Sequence, residues 1–225
     1  MNTTTRPTQA LHFEFNGVTR SFHYPGDQHL TPFVKAVLSG EDYPLVFPGL
    51  FQAKTIVDIG AHAGAASIYL KANYPDAEIF AFEPCKESFD LYCRNLQGLS
   101  PIIPCHAALG TEEGKAQLFH GEHSSMQQSL KANEENSDNF EWVAVLAADE
   151  VFDALQRDSF SIVKMDTEGF ELEILHTIFE YLPKTDVIYL EYHSEQDRLA
   201  IDQFLSDNFV LYAARATEAH RGTNT

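Results

Sequence analysis

An acid and two glycines stand where a short apolar run ends and a loop begins. The segment reads D-I-G-A-H-A-G over residues 58–64. Glycine at positions 60 and 64 permits a tight turn and a close approach of the backbone to a ligand. A helix that begins there presents free N–H groups to the same place. The spacing differs from the dinucleotide fingerprint, so by itself it also fits an ordinary turn between a strand and a helix.

Glu83 ends the next apolar run and lies 23 residues after Gly60. In an open parallel sheet the carboxyl end of the second strand lies beside the first loop. A carboxylate at that point can accept hydrogen bonds from both hydroxyls of an adenosine ribose, and Pro84 restricts the backbone just after it. A solvated acid at a strand end is the alternative. The glycine loop at a matching distance favours the ribose role for Glu83.

A third group of polar residues, K-M-D-T-E-G-F-E, covers residues 164–171. Ligands of such sheets bind at the switch point beside the first strand, where Asp166 and Glu168 are expected to lie. Acids at the start of a helix also suit the helix dipole and cap free N–H groups. That simpler explanation fits Glu171 well and fits Asp166 poorly, because Asp166 still belongs to the strand end.

Histidines supply the remaining candidates. The last predicted core strand brings Glu191 and His193 to the same edge of the sheet, where a histidine of near-neutral pKa is a candidate general base. A lone histidine is more often a surface residue. His62, His120 and His123 are further candidates to face the pocket, and the sequence assigns none of them a partner.

Short apolar runs alternate with amphipathic stretches along most of the chain. The predicted strands cover 55–58, 78–82, 102–107, 115–119, 140–145, 161–165, 186–192 and 208–214, and the predicted helices follow the glycine loop and cover 86–97, 170–182 and 195–206. This alternation indicates βαβ units. We therefore predict an α/β fold with a doubly wound, mainly parallel sheet.

A smaller N-terminal addition over residues 1–50 precedes the main domain, which we predict over 51–225. Asn16-Gly17 interrupts an alternating run and is a strong signal for a hairpin. Thr31-Pro32 starts a predicted helix that ends near Gly40. The polar segment 120–139 is longer than an ordinary connection and is predicted to be an exposed loop or lid. The addition and this loop are expected to shape the acceptor site.

The composition disfavours some classes of partner. The chain has 225 residues and a formal charge of −18, which disfavours nucleic acids and anionic membrane surfaces as partners. Its three cysteines have neither disulfide nor zinc spacing, and the N-terminal residues have no apolar signal core. We expect a cytoplasmic protein with reduced thiols that acts on a small molecule. The sequence leaves the oligomeric state open.

The combined motifs resemble the FkbM family of S-adenosylmethionine-dependent methyltransferases. The pieces that carry the resemblance are VDIGAHAGAASIYL, IFAFEP, LYCRNL, HAALG, IVKMDTEGFELEIL and YLEYH, spread over roughly residues 50–195. The family pattern is V-D-I-G-A-N-x-G, then F-E-P, then K-x-D-x-E-G-x-E. His62 stands where the family usually has asparagine. The chain also lacks an acid after the third strand, so we expect backbone near His106 and Ala107 to contact the adenine.

The resemblance implies a class I, Rossmann-like methyltransferase sheet closed by an antiparallel strand. It also implies O-methylation of a hydroxyl on a sugar, polyketide or other small molecule. The residues implied to bind S-adenosylmethionine are Asp58, Gly60, Ala61, His62, Gly64, Glu83, Pro84 and Ala107, and the candidate catalytic residues are Asp166, Glu168 and His193.

Methyl transfer from a sulfonium to a hydroxyl requires alignment and loss of the hydroxyl proton. Asp166 or His193 could take the proton. A divalent metal held by Asp166 with Glu191 or His193 could instead acidify the hydroxyl. The metal-free version is favoured because no tight ligand cluster is visible in the sequence. A nicotinamide-dependent oxidoreductase and a non-catalytic binding module remain the alternative functions.

Overall fold

The computed structural model describes residues 8–26, 30–120, 128–130, 139–218 and 221–225. The strands are β1 (Thr8–Phe15), β2 (Val18–Pro25), β3 (Thr55–Ile59), β4 (Glu78–Phe82), β5 (Ile102–Cys105), β6 (Ala108–Gly110), β7 (Gly114–His120), β8 (Gln128–Ser129), β9 (Phe140–Ala147), β10 (Phe160–Met165), β11 (Thr185–Tyr192), β12 (Ala214–Glu218) and β13 (Arg221–Asn224). The helices are α1 (Thr31–Ser39), α2 (Ala65–Asn73), α3 (Lys86–Asn95), α4 (Ala148–Leu155), α5 (Glu171–Thr177) and α6 (Glu195–Leu205), and a 3-10 helix (Phe179–Lys184) follows α5.

The central sheet has the strand order β12-β13-β11-β10-β3-β4-β5. Strands β11, β10, β3, β4 and β5 run parallel, and β13 pairs antiparallel with β11. The predicted doubly wound sheet with an antiparallel closing strand is thereby confirmed. The chain order reverses between β3 and β10, so the carboxyl ends of these two strands form the switch point at which such sheets bind ligands.

Side chains of the central strands alternate between two faces, and each face is covered by its own hydrophobic cluster. Ile56 and Ile162 pack on the face that holds α1, α2 and α3. Val57 packs on the opposite face with α4, α5 and α6. By the same alternation Asp58 and Lys164 point toward the first face, and they are direct neighbours in the β3–β10 register. The sheet itself therefore brings these two opposite charges together.

The N-terminal addition folds as predicted and packs on the main domain. Asn16 and Gly17 form the hairpin turn with φ values of 50° and 76°, and α1 ends at Gly40, whose φ is 79°. Phe22 of β2 and Val34 of α1 are buried in the hydrophobic cluster that also contains residues of α2 and α3. The addition shares a core with the larger sheet, and the boundary at residue 50 stays a prediction.

A second sheet has the order β6-β9-β7-β8. It confirms the predicted strands near 115–119 and 140–145, each slightly longer than expected. The segment predicted as one long loop contains the short strand Gln128–Ser129, which pairs with the end of β7. Most of that segment, including His123, lies outside the described residues, so its predicted role as a lid stays a prediction.

The strand predicted at 208–214 is wrong, because β12 begins only at Ala214. The apolar run before it suggests a buried strand, yet Val210 and Leu211 are 88% and 60% exposed. These residues lie outside the ladder of the sheet. The chain rejoins the sheet edge only where the N–H of Tyr212 donates to the carbonyl of Thr225 at 2.7 Å.

Two helices also differ from the sequence prediction. The helix predicted over 170–182 ends at Thr177 and continues as a 3-10 helix that contains Pro183, a residue that cannot donate to an α-helical ladder. Helix α4 was not predicted because it follows β9 without a turn signal. No helix in the described part of the chain has the length and apolar character needed to cross a membrane.

We predict that Gly60→Ala destabilises the protein more than Gly17→Ala does. Both glycines have positive φ, at 74° and 76°, so both substitutions carry a left-handed strain of about 1–2 kcal/mol. A Cβ at position 17 meets open space, whereas a Cβ at position 60 overlaps the carbonyl of Asp166. Urea unfolding should show an additional loss of about 1–3 kcal/mol for Gly60→Ala. Equal losses for the two variants would contradict the close approach of β3 to β10.

Candidate functional site

A buried ion pair lies directly under the glycine loop. The Nζ atom of Lys164 is 3.1 Å from Oδ1 of Asp58, and both side chains are at most 3% exposed. Lys164 also donates to the carbonyl of Gly60 at 2.6 Å. The other carboxylate oxygen of Asp58 accepts from Ser67 Oγ at 2.6 Å. These contacts thus connect the backbone of the glycine loop to Lys164 of β10.

Lys164 keeps its charge in this position. Burial opposes the charged form, but the neighbouring carboxylates of Asp58 and Asp166 outweigh that effect and raise the pKa of Lys164. The Asp166 carboxylate lies 3.9 Å away. Removing one partner of the buried Lys164–Asp58 pair would leave an uncompensated buried charge, which costs about 3–5 kcal/mol.

Glu83 closes the other side of the loop. Its Oε2 accepts the N–H of His62 at 2.8 Å, and its Oε1 accepts the N–H of Cys85 at 2.8 Å. Burial raises the pKa of Glu83 to about 7, while the two backbone N–H bonds act in the opposite direction. The carboxylate is therefore held in one orientation at the wall of the cavity. Each of its oxygens still has a lone pair for a hydroxyl donor.

His62 occupies the left-handed region with a φ of 47°. Asparagine and histidine are both enriched in this conformation, which gives a backbone reason for histidine at a position where the family pattern has asparagine. Its Nε2 is buried and has no hydrogen-bond partner among the described residues. Burial lowers the pKa of His62 to about 4, so the ring is neutral at pH 7.

Gly64 serves the packing of the loop rather than the cavity wall. It has a φ of 92°, and a Cβ there would overlap the side chains of Leu96 and Tyr92. The absence of a side chain lets the start of α2 lie against α3. Tyr92 in turn bonds Ser67 at 2.9 Å; since Ser67 donates its proton to Asp58, the tyrosine is the donor.

A cavity opens above the loop at the switch point. Of the residues predicted from sequence, its lining contains Gly60, Ala61, His62, Glu83, Pro84, Asp166 and Glu168. Asp58, Gly64, Ala107 and His193 are outside the lining. Asp58 is turned into the core toward Ser67, and Ala107 is buried just before the lining residues Ala108 and Leu109. The contacts of these residues with a cofactor stay predictions.

The N-terminal addition supplies one wall of this cavity. The side chains of the addition that line the cavity are Phe22, Phe33, Val34, Val37 and Tyr43, none of which was singled out from the sequence. Asn95 holds the addition in place: it accepts the N–H of His23 at 2.8 Å and donates to the carbonyls of His23 and Ala63 at 2.6 and 2.8 Å. One amide therefore connects the hairpin to the glycine loop.

Acids and a histidine gather on the far side of Asp166. The Nδ1 of His193 lies 3.5 Å from Glu168, and its Nε2 lies 3.4 Å from Glu171. Glu171 is fixed by the backbone N–H groups of Thr167 and Gly169 at 2.8 and 3.0 Å. Burial works against its charge, but hydrogen bonding to His193 and the backbone lowers the pKa of Glu171 below its usual value. Glu171 thus caps the turn and lies beside the ring of His193.

Sequence reasoning missed two contributions to the site. Lys164 was part of a motif but received no role, and only the pairing of β3 with β10 shows that its ammonium lies beside Asp58. The apolar wall of the addition carries no motif. The signal that could have found Lys164 is its place two residues before Asp166 in a strand of buried and mainly apolar residues.

The strand order, with the antiparallel β13 between β12 and β11, is the fold of class I methyltransferases. Among solved structures the protein resembles fibrillarin of Aeropyrum pernix, with a TM-score of 0.52 at 9% identity, over 96% of this chain and 81% of that one. At this identity the likeness shows the fold alone. Residues 58–212 match the model of the methyltransferase FkbM domain, so the chain belongs to the FkbM methyltransferase family.

Two curated relatives have similar sequences. Methyltransferase sdnD of Sordaria araneosa is 30% identical over 156 residues, covering 56% of this chain and 60% of that protein. Hexuronic acid methyltransferase AglP of Haloferax volcanii is 27% identical over 151 residues, covering 67% of this chain and 59% of that protein. The chain therefore spans about three fifths of the length of these relatives.

We predict that Lys164→Met lowers the free energy of unfolding by about 3–5 kcal/mol, because it leaves Asp58 charged and buried without its ammonium. Lys115→Met is the matched control, since Lys115 is exposed on β7. Its cost should stay within about 0.5 kcal/mol. Urea unfolding at neutral pH measures both. A Lys164→Met loss no larger than that of the control would show that the buried pair does not hold the loop.

Proposed function

We propose that this protein is an S-adenosylmethionine-dependent methyltransferase that transfers the methyl group to a hydroxyl of a small molecule. The observation that carries the proposal is the position of Glu83, whose carboxylate is fixed at the cavity wall beside the glycine loop. Membership of the FkbM family and the class I methyltransferase fold support the same activity.

The residues of the cavity fit this cofactor. Glu83 offers two oriented acceptors for the two hydroxyls of a ribose, which are donors. Gly60 lines the cavity, and its lack of a side chain lets the loop backbone lie against the carbonyl of Asp166. The buried Nε2 of neutral His62 is a polar atom at the cavity wall that a cofactor group would satisfy. Apolar Ala108 and Leu109 would border the adenine.

The cofactor, when bound, supplies a methyl group on a positively charged sulfur that is already a good leaving group. The chain's own residues then have to align the acceptor and remove its proton. Asp166 lines the cavity at the end of β10, and Glu168 follows it. Their negative charge also favours a cationic cofactor in this cavity. Asp166 is the proposed base, with His193 held behind it by Glu168 and Glu171.

The acceptor proposed here is a hydroxylated small molecule. The wall formed by Phe33, Val34, Val37 and Tyr43 is mainly apolar, which suits the carbon face of a sugar or a polyketide. The Haloferax relative is named a hexuronic acid methyltransferase, which supports a sugar acceptor. The overall charge of −18 argues against nucleic acids and anionic membranes as partners.

We predict that the affinity for S-adenosylmethionine falls about tenfold between about pH 8 and about pH 6. The pKa of Glu83 is raised to about 7, so this carboxylate becomes protonated within that window. Because its pKa is raised in the native state, Glu83 adds to stability below its ordinary pKa. This contribution is lost as the pH rises through about 7. Ribose hydroxyls donate to the charged form, so binding strengthens over the same rise. Calorimetric titration at several pH values measures the change.

Glu83→Gln should bind the cofactor weakly and lose this pH dependence. Glu112→Gln, a change at an exposed glutamate, is the matched control and should behave as the wild type does. No binding by the folded wild-type protein would refute the cofactor assignment. Binding that is unaffected by Glu83→Gln would refute the role of Glu83 while leaving the cofactor in place.

We predict that Asp166→Asn lowers the rate of methyl transfer by about 100-fold or more, because the base is lost. The assay follows a labelled methyl group from S-adenosylmethionine to a panel of uronic acids and neutral monosaccharides. Asp186→Asn, at an exposed position of β11, is the control and should keep full activity. A variant at Asp166 that binds the cofactor and turns over at the wild-type rate would rule out this carboxylate as the base.

A further inference from the structure

Three potential metal ligands meet where β10 and β11 end. One ligand atom each from Asp166, Glu191 and His193 lie within 4.8 Å of one another. The parallel register that pairs Met165 with Leu190 makes Asp166 and Glu191 neighbours, and His193 follows two residues later. Two carboxylates and an imidazole on adjacent strand ends form the kind of donor set that binds divalent metal ions.

The surroundings of His193 match those of a metal-binding histidine. Such a histidine almost always donates its second ring N–H to a carboxylate, which fixes the ring and its tautomer. Here Nδ1 lies 3.5 Å from Glu168 and Nε2 lies 3.4 Å from Glu171. Whichever nitrogen binds an ion, the other has a glutamate beside it. Glu171 is itself held by backbone N–H groups.

The charges of the side chains around the site also favour a bound cation. Lys164 is 3.1 Å from Asp58 and 3.9 Å from Asp166, so its charge is shared on that side of the site. On the other side Glu168, Glu171 and Glu191 lie around His193, which supplies one positive charge at most. A divalent cation at this point would be attracted by the surrounding carboxylates.

We propose that Asp166, Glu191 and His193 bind a divalent cation of the Mn²⁺ type that positions the acceptor hydroxyl and promotes its deprotonation. The inference rests on the proposed methyl transfer and adds a metal to that same site. The metal-free mechanism was favoured from sequence because no ligand cluster was visible there. In the folded chain, the ends of β10 and β11 bring the three ligands together.

The reaction balances without any further reagent. A cation near the oxygen would lower the pKa of the hydroxyl, whose proton then passes to the carboxylate of Asp166. An oxygen electron pair forms the new O–C bond, and the pair of the broken C–S bond stays on sulfur, which becomes a neutral thioether. Asp166 thus remains the proton acceptor of the proposed mechanism.

The test is a titration of the full chain with Mn²⁺, followed by electron paramagnetic resonance of the free ion. We expect one site in the wild type, with binding weakened tenfold or more in Glu191→Gln and in His193→Gln. The matched control is Glu141→Gln, which disrupts a second group of donors formed by Cys85, His120 and Glu141. It should bind Mn²⁺ as the wild type does.

Calorimetry with S-adenosylmethionine on the same variants shows whether they are folded and separates the two proposals. Cofactor binding without Mn²⁺ binding overturns the metal site and leaves the methyltransferase function standing. Mn²⁺ binding without cofactor binding overturns the methyltransferase function and leaves the metal site standing. Mn²⁺ binding that is lost only in Glu141→Gln also overturns the proposal, because the ion then occupies the other group. Methyl transfer should fall at least tenfold on chelation and return on addition of Mn²⁺.

Discussion

The buried ammonium of Lys164 is the interaction on which the rest of the site depends. It fixes Asp58 on β3 and the carbonyl of Gly60 at the start of the loop. The loop N–H groups of Gly60 and Ala61 then bond to the carbonyl of Phe82 at 2.9 and 3.0 Å, which joins the loop to β4. One charge therefore connects three adjacent strands. A site built on such a scaffold can hold its groups in position before any ligand arrives.

The sequence predicts the parts of the fold whose signals are local. Asn16-Gly17 identifies a hairpin because few other residues accept positive φ at both positions. The glycine loop and Glu83 identify two strand ends, and the parallel sheet that the alternating pattern indicates brings those ends together.

The parts that escaped prediction depend on contacts between distant segments. Nothing near Lys164 in the sequence indicates that its neighbour is Asp58, 106 positions earlier. The run Phe209 to Leu211 is as apolar as a strand but finds no partner strand in the sheet. The pattern of apolar side chains along a segment indicates which of its residues can be buried. It does not indicate which other segment will pack on them.

The side-chain amide of Asn95 has a consequence for how such cavities diversify. The FkbM domain match begins at residue 58, whereas the apolar wall comes from the hairpin and α1 before it. The half of the cavity that carries the charges and the half that supplies the apolar wall are thus separate segments of chain. They share a hydrophobic core, and Asn95 also bonds them to each other at Ala63 and His23. Because Asn95 bonds only backbone atoms of both segments, the side chains of the apolar wall can differ while this link is kept.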